Sequence, residues 1–116
     1  MKPQPYLQER GKEIFNEILK HVKDKKLDEN IDSYELSMLA NAFDMHEQAC
    51  EKMKEDGATQ ITANGYSQIR AEFTMWQKTA DYITKHSDKF GLNPAAREKI
   101  KAFAKKEEKQ DPIQSI

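Results

Sequence analysis

His46 and Cys50 lie four residues apart, a spacing that lets two side chains on one helix face share a metal ion. A metal needs further ligands, and none stands at a matching interval. Leu39, Phe43 and Met53 repeat on the same stripe, so the pair reads as packing within or beside a core. His21 and His86 have no acid–base partner in the sequence and suit surface or helix C-terminal positions. The 4 glycines, Gly11, Gly57, Gly65 and Gly91, are too scattered to build a phosphate-cradling loop. Ser33, Ser37, Ser67, Ser87 and Ser115 stand in no nucleophile setting. Acid pairs such as Glu107–Glu108 belong to solvated helix faces. The motifs that catalysis requires are missing, so the chain is expected not to be an enzyme, with no metal and no cofactor.

The remaining chemistry is electrostatic. Lys20, Lys23, Lys25 and Lys26 cluster at the end of a first helical segment. Arg97, Lys99, Lys101, Lys105, Lys106 and Lys109 follow along a last one. Lysines so grouped can contact phosphates, the chief source of sequence-independent DNA affinity. Interspersed acids (Asp24, Glu98, Glu107, Glu108) make an ordinary solvated face the competing reading. Net charge −1 excludes a strongly basic nucleic-acid binder and leaves room only for a local basic face.

These residues must be positioned by helices. A single Val against abundant Glu, Lys, Ala, Gln and Met disfavours an all-β fold. Leu7, Gly11, Ile14, Phe15, Ile18, Leu19 and Val22 recur at three and four, which predicts a helix over about 6–24 behind a leader holding Pro3 and Pro5. Residues 27–31 read as a short loop. Asp32 with Glu35 forms a capping-box-like start for a second helix, 33–56, stopped by Gly57. Leu36, Leu39, Ala42, Phe43, His46, Ala49, Cys50 and Met53 share its apolar face, and the helix is the most acidic part of the chain. Residues 58–69 fit either a small β-hairpin, turned at Asn64-Gly65 in type I′ geometry, or an ordered loop.

A third helix is predicted over 69–90. Its residues Phe73, Trp76 and Ile83 lie on a narrow seam of the kind that buries against another helix, and they are candidates for an oligomer contact. Gly91 ends that helix; Asn93 and Pro94 cap and open a fourth, 94–109. Residues 110–116 read as a frayed tail. The expectation is a mainly all-α fold of about four helices with a hairpin-like link near 58–69. It forms a single domain, 1–116, comprising an N-terminal helix (1–31), a helical core (32–109) and the tail. Leu, Ile, Val and Phe make up only roughly a fifth of the chain, so the core is thin and helices are expected to pack into an oligomer. No apolar run approaches a membrane span, and one cysteine, Cys50, points to the cytosol.

The segment Phe90-Gly91-Leu92-Asn93-Pro94-Ala95-Ala96-Arg97 resembles the G-L-[ST]-P-x-x-R signature near the end of bacteriophage and prophage terminase small subunits. The order of the preceding parts is similar: an acidic-capped helix from Asp32, Gly57, a Thr-rich link with Asn64-Gly65, then a long helix. The likeness covers about residues 32–103. Asn93 replaces the usual Ser or Thr and keeps the capping chemistry. Gln68-Ile69-Arg70 stands where members often carry Asn-Pro or His-Pro.

The resemblance implies a non-catalytic DNA-packaging protein of the bacterial host cytoplasm. It would assemble as a homo-oligomeric ring, bind double-stranded viral DNA, and recruit and regulate the large terminase subunit. Gly91, Leu92, Asn93, Pro94 and Arg97 would then make a rigid corner, with Leu92 buried and Arg97 paired to an acid, such as one on the second helix. Two other readings stay open. One is a helix-turn-helix transcriptional regulator using 80–103, in which Arg97 would face inward at a cost. The other is a helical adaptor that binds only protein through the Phe73–Trp76–Ile83 seam.

Overall fold

The computed structural model describes residues 1–100. The expected continuation of the fourth helix, the tail at 110–116, and Lys101, Lys105 and Lys106 lie outside the described residues. Within them the fold is mainly α-helical with one small sheet, as expected. Helix α1 spans Glu9–Asp24, α2 Ser33–Asp56 and α3 Ala71–His86. Strands β1 (Thr59–Ile61) and β2 (Ser67–Ile69) separate α2 from α3. Residues 94–100 are helical and form the described part of α4.

The helix ends follow from local chemistry. The Asp32 carboxylate accepts the Glu35 amide at 2.8 Å, and Gly57 closes α2 with its amide on the Met53 carbonyl at 2.7 Å. Asn93 caps α4 by accepting the Ala96 amide at 2.8 Å. The third helix is shorter than its periodicity suggests. It turns into a 3-10 segment, Ser87–Phe90, and then Gly91 adopts φ +68°. Leu92 donates to the Ser87 carbonyl and Gly91 to the Asp88 carbonyl, the paired bonds of a Schellman cap.

Helix α1 ends the same way without a glycine. Leu27 donates to Val22 and Lys26 to Lys23, with Lys26 at φ +59°. A left-handed lysine costs roughly 1–2 kcal/mol. Docking the partly buried Leu27 on the core offsets this, since full burial of such a side chain contributes about 1.5–3 kcal/mol and partial burial a share of it. Lys26→Gly should therefore raise stability by about 0.5–1 kcal/mol, measured by urea denaturation. A loss of stability would show that the lysine side chain makes a compensating contact.

One buried cluster joins α1 (Ile14, Phe15, Ile18, Val22), α2 (Leu36, Leu39, Phe43), Ile83 of α3, and Phe90, Leu92, Ala96 and Ile100 around the corner. Helix α2 is central. It packs α1 on one side and α3 on the other, so Ser37, Ala40, Asp44 and Glu47 are buried beyond the predicted stripe. The leader straps across its start: the Gln4 amide donates to Ser37 Oγ at 3.0 Å and Gln4 Nε2 to Ser33 Oγ at 3.2 Å.

The 58–69 link is a hairpin. Its antiparallel register pairs Thr59 with Ile69, Gln60 with Gln68 and Ile61 with Ser67. The turn differs from the expected I′ form. Gly65 takes φ +84°, Asn64 does not enter the left-handed region, and Thr62 pairs with Tyr66 across a three-residue loop. A type I turn followed by a left-handed glycine produces this geometry, and only one glycine is needed for it. The molecule measures 54 × 39 × 28 Å, with the hairpin at the far end of the α2–α3 pair.

Candidate functional site

The basic group at the end of α1 is exposed and anchored. Lys20, Lys23, Lys25 and Lys26 all lie on the surface, with Lys23 in the last helical turn, where a cation suits the helix dipole. Lys25 Nζ donates to the Gly91 carbonyl at 2.9 Å, and His21 Nε2 lies 3.1 Å from the same oxygen. A neutral or protonated His21 with hydrogen on Nε2 can donate there. The two Schellman caps thus face each other. A Cβ on Gly91 would come within 2.8 Å of Leu27 Cδ1 and 3.1 Å of Lys25 Cδ. The motif glycine is required by its φ, a Cβ there would press on two side-chain ends, and the corner ties the end of α1 to the start of α4.

Other motif residues are placed as follows. Leu92 is 1% exposed. Ala96 and Ile100 turn the apolar side of α4 inward, and Lys99 faces solvent. Arg97 is half-buried and lines a cleft of about 210 Å³ with His46, Thr84, Pro94 and Glu98. It makes no ion pair with a described residue of α2. The reason is directional. On this side α2 presents His46, whereas its acids Asp44 and Glu47 line a groove on the other flank with Gln8 and Arg10. The acid that α2 does offer near the corner, Glu35, pairs with Lys89.

His46 is held by packing. Its Nδ1 lies 3.0 Å from Thr79 Oγ1, and its ring stacks on Trp76 at 6.0 Å and 21°. Phe73 and Trp76 meet at 6.0 Å and are half-buried, while Ile83 is 4% exposed and belongs to the chain's own core. His86 lies exposed in the last turn of α3 against Tyr82. Among the described residues no group of three or more His, Cys, Asp or Glu could hold a metal ion.

Sequence reasoning missed Asp44 and the tyrosine groove. Asp44 is 2% exposed and accepts from Gln48 Nε2 at 3.0 Å. It sits under Gly11, whose Cβ would approach Leu7 Cδ2 to 3.2 Å and Asp44 Oδ2 to 3.4 Å. The signal was that glycine, placed inside an otherwise strong helix. The second feature is an apolar groove of about 280 Å³ between α2 and α3, lined by Tyr6, Met38, Met45, Lys78 and Tyr82. Burial, then the neighbouring Tyr34 and Tyr82, hold the Tyr6 phenol above its usual value; burial, then Glu35, does the same for Tyr82.

The described residues form a helical framework that presents a braced lysine cluster. The family described as phage terminase, small subunit, matches residues 11–107, and the chain belongs to that family. The match takes in α1 from Gly11 onward, the hairpin and the whole Gly91–Arg97 corner. No curated protein and no solved structure matches the chain. The family places it in phage DNA packaging, as a component that is generally non-catalytic. No helix among the described residues is long and apolar enough to cross a membrane.

Proposed function

We propose that this chain binds double-stranded viral DNA in the host cytoplasm as a homo-oligomeric ring. In that state it recruits and regulates the large terminase subunit and catalyses no reaction itself. Family membership supports the packaging role. The observation that carries DNA binding is the exposed Lys20–Lys23–Lys26 cluster, held in place by the bonds of His21 and Lys25 to Gly91. Lys99, and Lys101, Lys105 and Lys106 beyond the described residues, form a second candidate group. A near-neutral chain binds DNA weakly as one copy, and a ring that aligns one cluster per protomer gains by avidity.

The test is duplex retention at two salt concentrations. Each phosphate contact contributes about −0.9 to the slope of log K against log salt. The triple variant Lys20→Gln, Lys23→Gln, Lys26→Gln should reduce affinity about tenfold or more at low salt and flatten that slope. Lys25 is left intact because it holds the corner. Unchanged affinity and slope in a folded variant would remove the α1 cluster from the DNA interface and leave the α4 group.

A further inference from the structure

Asn64 is the one asparagine of the chain that precedes a glycine. The hairpin holds this pair at its tip. Both residues are exposed, and a Cβ on Gly65 would meet nothing within 4 Å. The Asn64 carboxamide makes no hydrogen bond with a described residue. A carboxamide in this position can close a five-membered ring onto the next backbone nitrogen. Glycine has no Cβ to hinder that closure.

A single bond restrains the nucleophile: Gly65 donates to the Thr62 carbonyl at 2.9 Å. The structure behind that bond is slight. Each strand has 3 residues, all exposed. Ile61 is 78% and Ile69 57% exposed, so the hairpin lays no apolar face on its own core. Two-stranded hairpins that pack on nothing are marginal, and such a tip opens locally at far lower cost than the helices.

We propose that Asn64 is a site of spontaneous covalent modification, deamidation through a succinimide formed with the Gly65 nitrogen. The Gly65 amide gives its proton to hydroxide. The freed nitrogen attacks Asn64 Cγ, an N–Cγ bond forms and the Cγ–Nδ2 bond breaks. Nδ2 takes a proton from water and leaves as ammonia. Water then opens the ring. Addition at Cγ yields aspartate, and addition at the Asn64 main-chain carbonyl carbon yields isoaspartate. In sum one water enters, one ammonia leaves, and nothing is oxidised or reduced. The reaction needs neither DNA nor a second copy, so it is independent of the ring reading.

The other sites of this type are closed. Asn16 and Asn41 lie inside α1 and α2, and Asn30 precedes the β-branched Ile31. Asn93 holds the Ala96 amide and precedes Pro94, whose nitrogen carries no hydrogen. Asp56 also precedes a glycine, but the Gly57 amide is bound to Met53 at 2.7 Å and Lys52 holds the Asp56 carboxylate at 2.9 Å. Modification at Asn64 adds one negative charge to a chain of net charge −1. Isoaspartate also inserts a carbon into the main chain of the loop, so Thr62 and Tyr66 lose the register that pairs them.

The full chain, aged in warm, mildly alkaline buffer, tests this. Trypsin releases Glu55–Arg70, in which Asn64 is the only asparagine. Mass spectrometry of the digest follows the exchange of NH2 for OH, and an isoaspartyl methyltransferase detects isoaspartate. Asn64 should convert about tenfold or more faster than the other asparagines, with isoaspartate among the products, and faster still at higher pH. The same chain aged in urea gives the rate without the turn. Conversion in urea with Asn64 intact in the native chain would show that the Thr62 bond protects it and would overturn the proposal. Aspartate without isoaspartate would mean direct hydrolysis of the side chain and overturn the succinimide route. Asn64→Gln, with an unchanged circular dichroism spectrum, should abolish the mass change in this peptide. A change that persists would assign the reaction to another residue.

Discussion

Gly91→Ala should destabilise the fold by about 1.5–3 kcal/mol. Two effects add. A left-handed alanine costs roughly 1–2 kcal/mol, and Gly91 stands at φ +68°. The new Cβ would meet Leu27 Cδ1 at 2.8 Å and Lys25 Cδ at 3.1 Å, the far ends of side chains that must turn aside. Displaced rotamers of this kind cost about 0.5–1 kcal/mol. Thermal denaturation should show a fall of roughly 6–24 °C at 4–8 °C per kcal/mol. Gly91→Asn separates the terms, because asparagine tolerates the left-handed region yet keeps the Cβ. It should recover part of the loss and no more. Full recovery would mean that Leu27 does not pack on the corner in solution. DNA affinity should fall with Gly91→Ala even where the protein is folded, since His21 and Lys25 bond to the Gly91 carbonyl.

Leu92→Ala should cost more, about 3–5 kcal/mol. Leu92 is 1% exposed and lies in the cluster with Phe90, Ala96 and Ile100. Removal of a fully buried leucine side chain loses its transfer energy and leaves a cavity. Domains of this size hold only ~5–15 kcal/mol in total, so the variant should lie close to the threshold of folding. Urea denaturation gives the value. A loss under 1 kcal/mol would indicate that α4 leaves the core readily and that the corner is a hinge. Leu92→Met, similar in volume, should cost under about 1.5 kcal/mol.

Much of the architecture was legible because its determinants are local. Asp32, Gly57, Gly91 and Asn93 each mark a helix end by their own side-chain or backbone chemistry, and each does so in the structure. Leu92 was expected to be buried from the motif and is. What was not legible depends on neighbours distant in sequence. Lys26 enters the left-handed region because Leu27 must dock, which no lysine signals by itself. Asp44 reads as one more surface acid on an acidic helix until α1 is packed over it.

The α3 seam shows the same limit. Its period identified Phe73, Trp76 and Ile83 as burying, but period alone cannot assign the burying partner. Ile83 goes to the chain's own core, and Trp76 meets His46 of α2. The resemblance implies an acidic partner for Arg97, such as one on α2; there Asp44 and Glu47 line the opposite flank and Glu35 pairs with Lys89. The composition predicts a thin core and cannot say which apolar side chains stay exposed. Their place, on the hairpin and in the tyrosine groove, emerged only with the tertiary structure.

In the proposed function, protomers assemble and hold duplex DNA together. Sedimentation equilibrium of the purified chain with and without a phage duplex, at low salt, measures both at once. The predicted result is a discrete multiple of 13.5 kDa that shifts to a larger species with DNA and releases it as salt is raised. A 13.5 kDa species that ignores the duplex at every salt concentration would contradict it.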